Sequence, residues 1–386
     1  MLKLSFELSE KVKKYLAESH DELIELIEDL CKIPAPSHHE EARAEFCKNW
    51  LEKNGAEGVY IDEALNVIYP IGCDGKDDIV VFLAHTDTVF PDTEPMPLWK
   101  DDEYIYSPGV GDDTARVALM FMLAKYIAKE NLTPKCGFMV VANSCEEGLG
   151  NLKGIRQLMS DFEGRIKEVY SFDANYDTLY NKCVGSHRYQ ITLETEGGHS
   201  YAAFGNRNAI YAASDLVCKL YSCVVPKIGN SRTTYNVGHI EGGTSVNTIA
   251  QKATIFYEYR SDDINCLEQM RQFFEKTIDE AKSEAKAEIT VETIGIRPCG
   301  GNVDEAKLAD MTATVKAICE KYTGLECNPH SASTDCNIPM SLGVPAVCVG
   351  NCISYGSHTR EEKLLIASLK LGLEITADIM LRYFEN

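Results

Sequence analysis

The chain has 386 residues, room for two domains at roughly 100–200 residues each, and 45% of them are hydrophobic, enough for a proper core. Acidic residues number 59 against 38 basic ones, and the formal net charge of -21 argues against nucleic acid and anionic membranes as partners. The 15 cysteines are odd in number and scattered, with no C-x-x-C pair, a usage that fits reduced thiols in the cytoplasm better than a disulfide framework.

The start, MLKLSFELSEKVKK, lacks the apolar core of a signal peptide. No apolar run approaches the ~18 residues of a membrane span, so a cytoplasmic protein without membrane contact is expected. Residues 9–32 read as one amphipathic helix with Leu23, Ile24, Ile27, Leu30 and Cys31 on one face, stopped by Pro34 and Pro36. Ser37 followed by Glu40 is a capping-box signature for a second helix to about Gly55. A strand near 58–70 precedes a buried run at 79–84. A helix from Asp113 to about Glu130, a strand at 136–144, a helix at 151–161 and a strand at 167–173 follow. Short apolar strands alternating with helices indicate a mainly parallel sheet flanked by helices, an α/β fold.

At Gly185 the texture changes. RYQITLETEG reads as a strand, NAIYAASDLVCKLYSCVV as a helix, TTYNVGHIEGG and QKATIFYEYRS as strands, INCLEQMRQFFEKTIDEAKSEA as a helix and AEITVETIGI as a strand. That β-α-β-β-α-β order is the ferredoxin-like α+β unit. A domain at 185–297 is therefore expected inside a first domain made of 1–184 and 298–386. The latter resumes with a helix at 305–323 and a strand at 344–350, and ends in an amphipathic helix at 361–384.

Metal-binding residue types stand at five places around these apolar runs. IVVFLA runs into His85-Thr-Asp87, GFMVVANSC into Glu146-Glu147, EVYSF into Asp173 and AVCVGNCISYGS into His358. Asp112-Asp113 follows Gly109-Val-Gly111 and opens an apolar helical stretch. Ligands of open α/β sheets bind outside the carboxyl ends of the strands, and imidazoles with carboxylates suit a metal there. His85 and Asp87, two apart on an extended segment, point to one side. His85 is expected as ligand and Asp87 as the carboxylate that orients its ring. Two acids before a helix can simply complement its dipole, but the preceding glycines permit an entry that turns one carboxylate into the site. Glu146 and Glu147, adjacent at a strand end, should point to opposite sides, one to a metal and one to water. Each residue alone also has a plain structural reading; the coincidence at five places points to a site. His85, Asp112, Glu147, Asp173 and His358 exceed the needs of a single tetrahedral zinc. They suit two metals sharing one carboxylate, zinc with cobalt or manganese as substitutes. Glu146 is then free to take a proton from water and pass it to a leaving amine.

HTDTVF, GVGDD, EEGLGNLKG, SFDAN, GGHSYAAFGN, GGTSVNTIA and GSHTREE, in this order and spacing, resemble the family of peptidase T, aminoacylase and acetylornithine deacetylase. These are co-catalytic dizinc peptidases and deacylases, and the peptidase T-like members are the nearest in pattern. The resemblance spans essentially the whole chain. It implies a zinc-peptidase-like catalytic domain with an inserted lid and dimerisation domain, and two Zn2+ per subunit. His85 and Asp173 would hold one ion, Glu147 and His358 the other, with Asp112 bridging, a cis bond between Asp112 and Asp113, and Glu146 as general base. From the inserted domain, His199 of GGHS would reach the site of the other subunit of a homodimer and stabilise the oxyanion. Asn247 of GGTSVN and Arg260 of YEYRS would hold the substrate's carboxylate or backbone. One departure is visible: many relatives have Lys then Gly after the acidic pair, whereas Thr114-Ala115-Arg116 follow here. That loosens assignment to one subfamily and leaves the ligands untouched. His187 and His239 read as structural, and His38 and His39 as exposed residues early in the second helix. A nucleotide loop at Gly109-x-Gly111 is disfavoured, because Thr114 stands where the third glycine of G-x-G-x-x-G belongs. The expectation is a dizinc hydrolase of small peptides. An N-acyl-amino-acid deacylase is the runner-up, and a non-catalytic, metal-bearing dimeric binding protein is the rival of another class.

Overall fold

The buried run beginning at Ile79 lies at the centre of a sheet in a computed structural model that describes residues 6–384. All of the strand Ile79–His85 is buried, as suits a strand covered on both faces. It pairs in parallel with Gly137–Asn143 on one side and Ile166–Phe172 on the other, and Ala346–Val349 runs parallel beside Ile166–Phe172. The eight-stranded order is Tyr60–Ile61, Val67–Ile71, Gly137–Asn143, Ile79–His85, Ile166–Phe172, Ala346–Val349, Thr178–Cys183, Asn328–Ala332. Val67–Ile71 and Thr178–Cys183 pair antiparallel with this parallel centre. Phe82 stacks on Phe138 and Tyr170 with centroids 4.9 and 5.0 Å away, which locks three neighbouring strands on one face. The helix Ala115–Lys129 has no polar face. It is buried from Ala115 to Ile127 because it lies against both the strand Ile79–His85 and the helix Ser368–Leu381. This arrangement brings His85, Asn143 and Phe172, the last residues of parallel strands, to one edge of the sheet.

Three sequence expectations need correction. The helix expected at 9–32 is two, Glu10–Glu18 and His20–Cys31, broken at Ser19, whose hydroxyl donates to the Tyr15 carbonyl at 2.7 Å. The helix Glu41–Lys53 is capped at Glu40 with no side-chain capping bond, so Ser37 and Glu40 form no capping box. The last helix is Ser368–Leu381, later than its periodicity predicts. Lys363–Leu365 instead pairs with Tyr104–Tyr106 in a small sheet that also contains Trp99–Lys100 and Ser354–Tyr355. The hairpin Ser354–Leu365 thus carries His358 and Glu362 on one turn of chain.

The chain divides into two units: one runs up to Lys182 and resumes at Gly301, and the other is Cys183–Gly300. The second unit has an antiparallel sheet ordered Thr233–Gly242, Lys252–Ser261, Gly185–Glu194, Glu288–Arg297. Its helices Ala209–Leu220 and Ile264–Ser283 start at Asn208 and Asp263, whose side chains accept the first free amides. Leu216, Met270 and Phe274 pack with Ile191, Ile255 and Tyr257 in a core separate from that of the first unit. A two-stranded ribbon pairs Gly198–His199 with Thr248–Ile249. Among the described residues no helix is long and apolar enough to cross a membrane.

Candidate metal centre

His85 ends its strand with a buried imidazole. Its Nδ1 lies 3.0 Å from the Asp87 carbonyl and 3.4 Å from the Asp87 carboxylate. Two acceptors on Nδ1 place the proton there and turn Nε2 toward the site. Asp112 meets that Nε2 with Oδ1 at 3.1 Å, and meets His358 Nε2 with Oδ2 at 3.2 Å. His358 Nε2 is also 3.0 Å from Glu147 Oε1. Ligand-type atoms therefore gather in two groups that share one residue. One is His85, Asp112 and Asp173, the other Asp112, Glu147 and His358, with the atoms of each group within 4.8 Å of one another.

The entry of Asp112 depends on its glycines. Gly109 has φ +75°, and a Cβ there would lie 2.6 Å from Thr88 Cγ2; one on Gly111 would lie 2.1 Å from Ser354 Cβ. The amides of Gly109, Gly111 and Asp112 donate to the buried Glu362 carboxylate at 2.7, 2.9 and 2.8 Å. The Asp112–Asp113 peptide bond is cis. Asp113 belongs to neither group and accepts the His85 amide at 2.9 Å. Arg116, which closes the Thr114-Ala115-Arg116 departure from the family pattern, donates to the carbonyls of Gly111 and of Ala174, the latter at 3.0 Å. It thereby ties the Asp112 loop to the segment that carries Asp173.

Strand pleating does not set the adjacent glutamates. The strand stops at Asn143, and Cys145 has φ +55°, in the left-handed region. The Glu146 and Glu147 amides donate to Asp87 Oδ1 and Oδ2 at 2.9 and 3.0 Å. Glu146 is buried, and its charge is felt by Glu147, Asp173 and Asp335 together. Asp87 thus has two tasks, facing the His85 ring and holding the backbone of Glu146 and Glu147.

The electrostatics test whether a cation fits. Burial and the Asp112 charge hold the Asp173 carboxyl well above the usual range. Burial pushes Glu147 up to about 7 against the hydrogen bond from His358, with Asp112 and Glu146 adding to the rise. Burial and Glu146 push Asp335 up to about 8. Hydrogen bonds to Asp112 and Glu147 push His358 up to about 10. Buried acids that resist ionising beside one another are what a divalent cation relieves. Two imidazoles with three carboxylates are a donor set for zinc-like ions. The residues present fit such a group.

The remaining expected residues belong to the second unit. His199 lies exposed on the ribbon, its Nδ1 accepting the amides of Tyr201 and Ala202 at 3.2 and 3.3 Å. Asn247 lies in the turn just before the strand Thr248–Ile249: its carbonyl accepts the Ser200 amide at 2.9 Å and its Oδ1 the Ser245 hydroxyl at 2.7 Å. The Arg260 fork is engaged by Glu258 at 2.9 and 3.0 Å. Residues to which the sequence reading gives no role at the site also surround the centre: Ser37, Glu40, Arg116, Asp335 and Glu362. Glu362 falls inside GSHTREE. His38, expected in a helix, lies in the preceding turn with φ +74° and its Nε2 3.3 Å from the Leu149 carbonyl.

The chain is similar to known proteins over nearly its whole length. An uncharacterised Bacillus subtilis (strain 168) protein, YqjE, is 25% identical over 93% of this chain and 97% of its own. A tripeptidase from Staphylococcus aureus subsp. aureus Mu50 superposes with TM-score 0.74 at 23% identity, covering 94% of this chain and 97% of that one. The aminopeptidase PepT from Bacillus cereus ATCC 10987 superposes with TM-score 0.72 at 21% identity, covering 94% and 98%. The model of peptidase family M20/M25/M40 matches residues 81–382. With its sheet, its clustered acids and imidazoles and this match over most of its length, the chain belongs to peptidase family M20/M25/M40, metal-dependent hydrolases of peptide and acyl-amino-acid bonds.

Proposed function

We propose that the chain is a dizinc peptidase that cuts the amide bond of small peptides. His85 and Asp173 would hold one zinc, Glu147 and His358 the other, and Asp112 would bridge, with cobalt or manganese as substitutes. The observation that carries this reading is the division of the Asp112 carboxylate, Oδ1 toward His85 and Oδ2 toward His358. Bound there, the ions would make a water acidic and hold the charge that develops on the substrate oxygen. Glu146, buried beside Glu147, Asp173 and Asp335, takes the proton of the attacking water and returns it to the departing amine.

The second unit supplies the other parts of the proposal as lid and dimerisation domain. Its exposed apolar side chains Tyr201, Phe204 and Val246 and its edge strand Thr233–Gly242 support a homodimer. With His199 Nδ1 accepting two amides, Nε2 carries the proton and can donate to an oxyanion in the site of a second subunit. Asn247 would hold the substrate backbone. Arg260 would hold a carboxylate only by exchanging Glu258. No disulfide joins any of the 15 cysteines, which supports a reducing cytoplasm. The tripeptidase and PepT names of the structural neighbours favour peptides over acyl amino acids. The intact Glu146 and ligand set speak against a non-catalytic binding protein.

A panel of free di- and tripeptides assayed beside N-acetyl amino acids tests the reading. Turnover of tripeptides, abolished by chelation and restored by zinc or cobalt, is expected. Turnover of the acetylated substrates alone would establish the deacylase instead, and turnover of neither would overturn both.

A further inference from the structure

We propose that Ser37 and Glu40 are positioning residues for the general base. The proposal rests on the role assigned to Glu146 above. Both residues lie in the turn between the helices His20–Cys31 and Glu41–Lys53, outside residues 81–382 that match the family. Three consecutive amides, those of Cys145, Glu146 and Glu147, donate to just two carboxylates. Glu40 Oε1 accepts the Cys145 amide at 3.0 Å, and Asp87 accepts the next two at 2.9 and 3.0 Å. Glu40 Oε1 also accepts the Cys145 thiol at 3.2 Å. The Ser37 hydroxyl donates to Asp87 Oδ2 at 2.6 Å, and so fixes the carboxylate that faces the His85 ring and carries the Glu146 amide.

The physical need is plain from the backbone. Cys145 sits at φ +55°, a conformation that non-glycine residues adopt at a cost and that surrounding bonds must hold. Glu40 and Asp87 are fully buried, and two buried acids are expensive unless their lone pairs are used. Here Glu40 Oε1 and both Asp87 oxygens form a cradle that sets where the Glu146 and Glu147 side chains leave the chain, while Glu40 Oε2 is buried without a partner. With the cradle loosened, Glu146 moves relative to the water it deprotonates, and small displacements of catalytic groups lower turnover steeply.

The test compares Ser37→Ala and Glu40→Ala with the conservative Ser37→Thr and Glu40→Gln, which keep a hydroxyl and a carbonyl acceptor. Tripeptide hydrolysis is measured at saturating zinc, with bound zinc per subunit, thermal unfolding and amide hydrogen exchange over residues 144–148. The alanine variants should lose about 10–100-fold in kcat, the usual cost of removing a group that orients a metal site. KM should shift by less than about threefold, zinc content should hold at saturation, and exchange should accelerate at 144–148 only. The conservative variants should recover most of kcat. Alanine variants with parental kcat and parental exchange would overturn the proposal, as would an equal loss in Ser37→Thr and Ser37→Ala or exchange that rises throughout the chain. A parent without amidase activity would instead refute the functional reading, and local exchange at 144–148 would still decide whether the cradle exists.

Discussion

Replacing Glu362 should damage the protein in graded steps. Its carboxylate is the acceptor for three buried amides, those of Gly109, Gly111 and Asp112. A buried amide left without an acceptor costs about 1–3 kcal/mol, so Glu362→Ala should cost about 3–9 kcal/mol before the loop relaxes. That is comparable to the whole stability of a domain, about 5–15 kcal/mol. Glu362→Gln keeps a carbonyl for Gly111 and Asp112 but turns a donor toward the Gly109 amide, and should cost about 1–3 kcal/mol. Part of the loss is returned, because the native carboxyl is itself pushed up to about 7 by burial and by Asp112. Urea unfolding of metal-free protein at pH 7.5, followed by circular dichroism and by the fluorescence of Trp50 and Trp99, measures the ladder. Stability should fall from Glu to Gln to Ala, and zinc affinity should fall in the same order because Asp112 is displaced. An alanine variant within about 0.5 kcal/mol of the parent, the range of ordinary surface changes, would refute the reasoning.

Glu146→Gln should keep its metal and lose about 10²–10⁴-fold in kcat; unchanged turnover would remove Glu146 as base. Zinc binding at pH 7 should release protons, because His358, raised to about 10, and Glu147, raised to about 7, are protonated or half-protonated without metal. Calorimetry in buffers of different ionisation enthalpy measures the release, and none would contradict the assigned ligands. Metal-free protein should lose stability as pH rises from about 4.5 to about 7, since Glu147 and Glu362 bind more protons folded than unfolded across that window. Denaturant midpoints that rise over this range would contradict it. His199→Ala should slow turnover without releasing zinc. Mixing it with Glu146→Gln protein should restore part of the activity if subunits share sites, and no restoration at any ratio would place His199 elsewhere.

The groups that gather at the centre were legible because ligand chemistry restricts residue type. Histidines and acids stranded beside runs such as IVVFLA and EVYSF leave few other readings, and seven motifs in order narrow them further. Their support was not legible. Ser37 and Glu40 carry a helix-capping spacing, yet the structure uses their side chains on Asp87 and Cys145. A side chain that accepts a distant amide leaves no periodic trace, and Glu362 lies about 250 residues from the loop it holds, a separation far beyond any local pattern. Strand alternation predicts that Glu146 and Glu147 diverge, but the strand ends at Asn143, and the Asp87 carboxylate holds their amides instead. The same limit explains the last helix, where Lys363–Leu365 of the amphipathic pattern forms a strand paired with Tyr104–Tyr106.

Metal content measured on the zinc-loaded parent and on Asp112→Asn tests the central claim most directly. Elemental analysis should find two zinc ions per subunit in the parent, with both weakened in the variant because one carboxylate serves the two ions. A parent that binds none or one, or a variant that holds two as tightly as the parent, would contradict it.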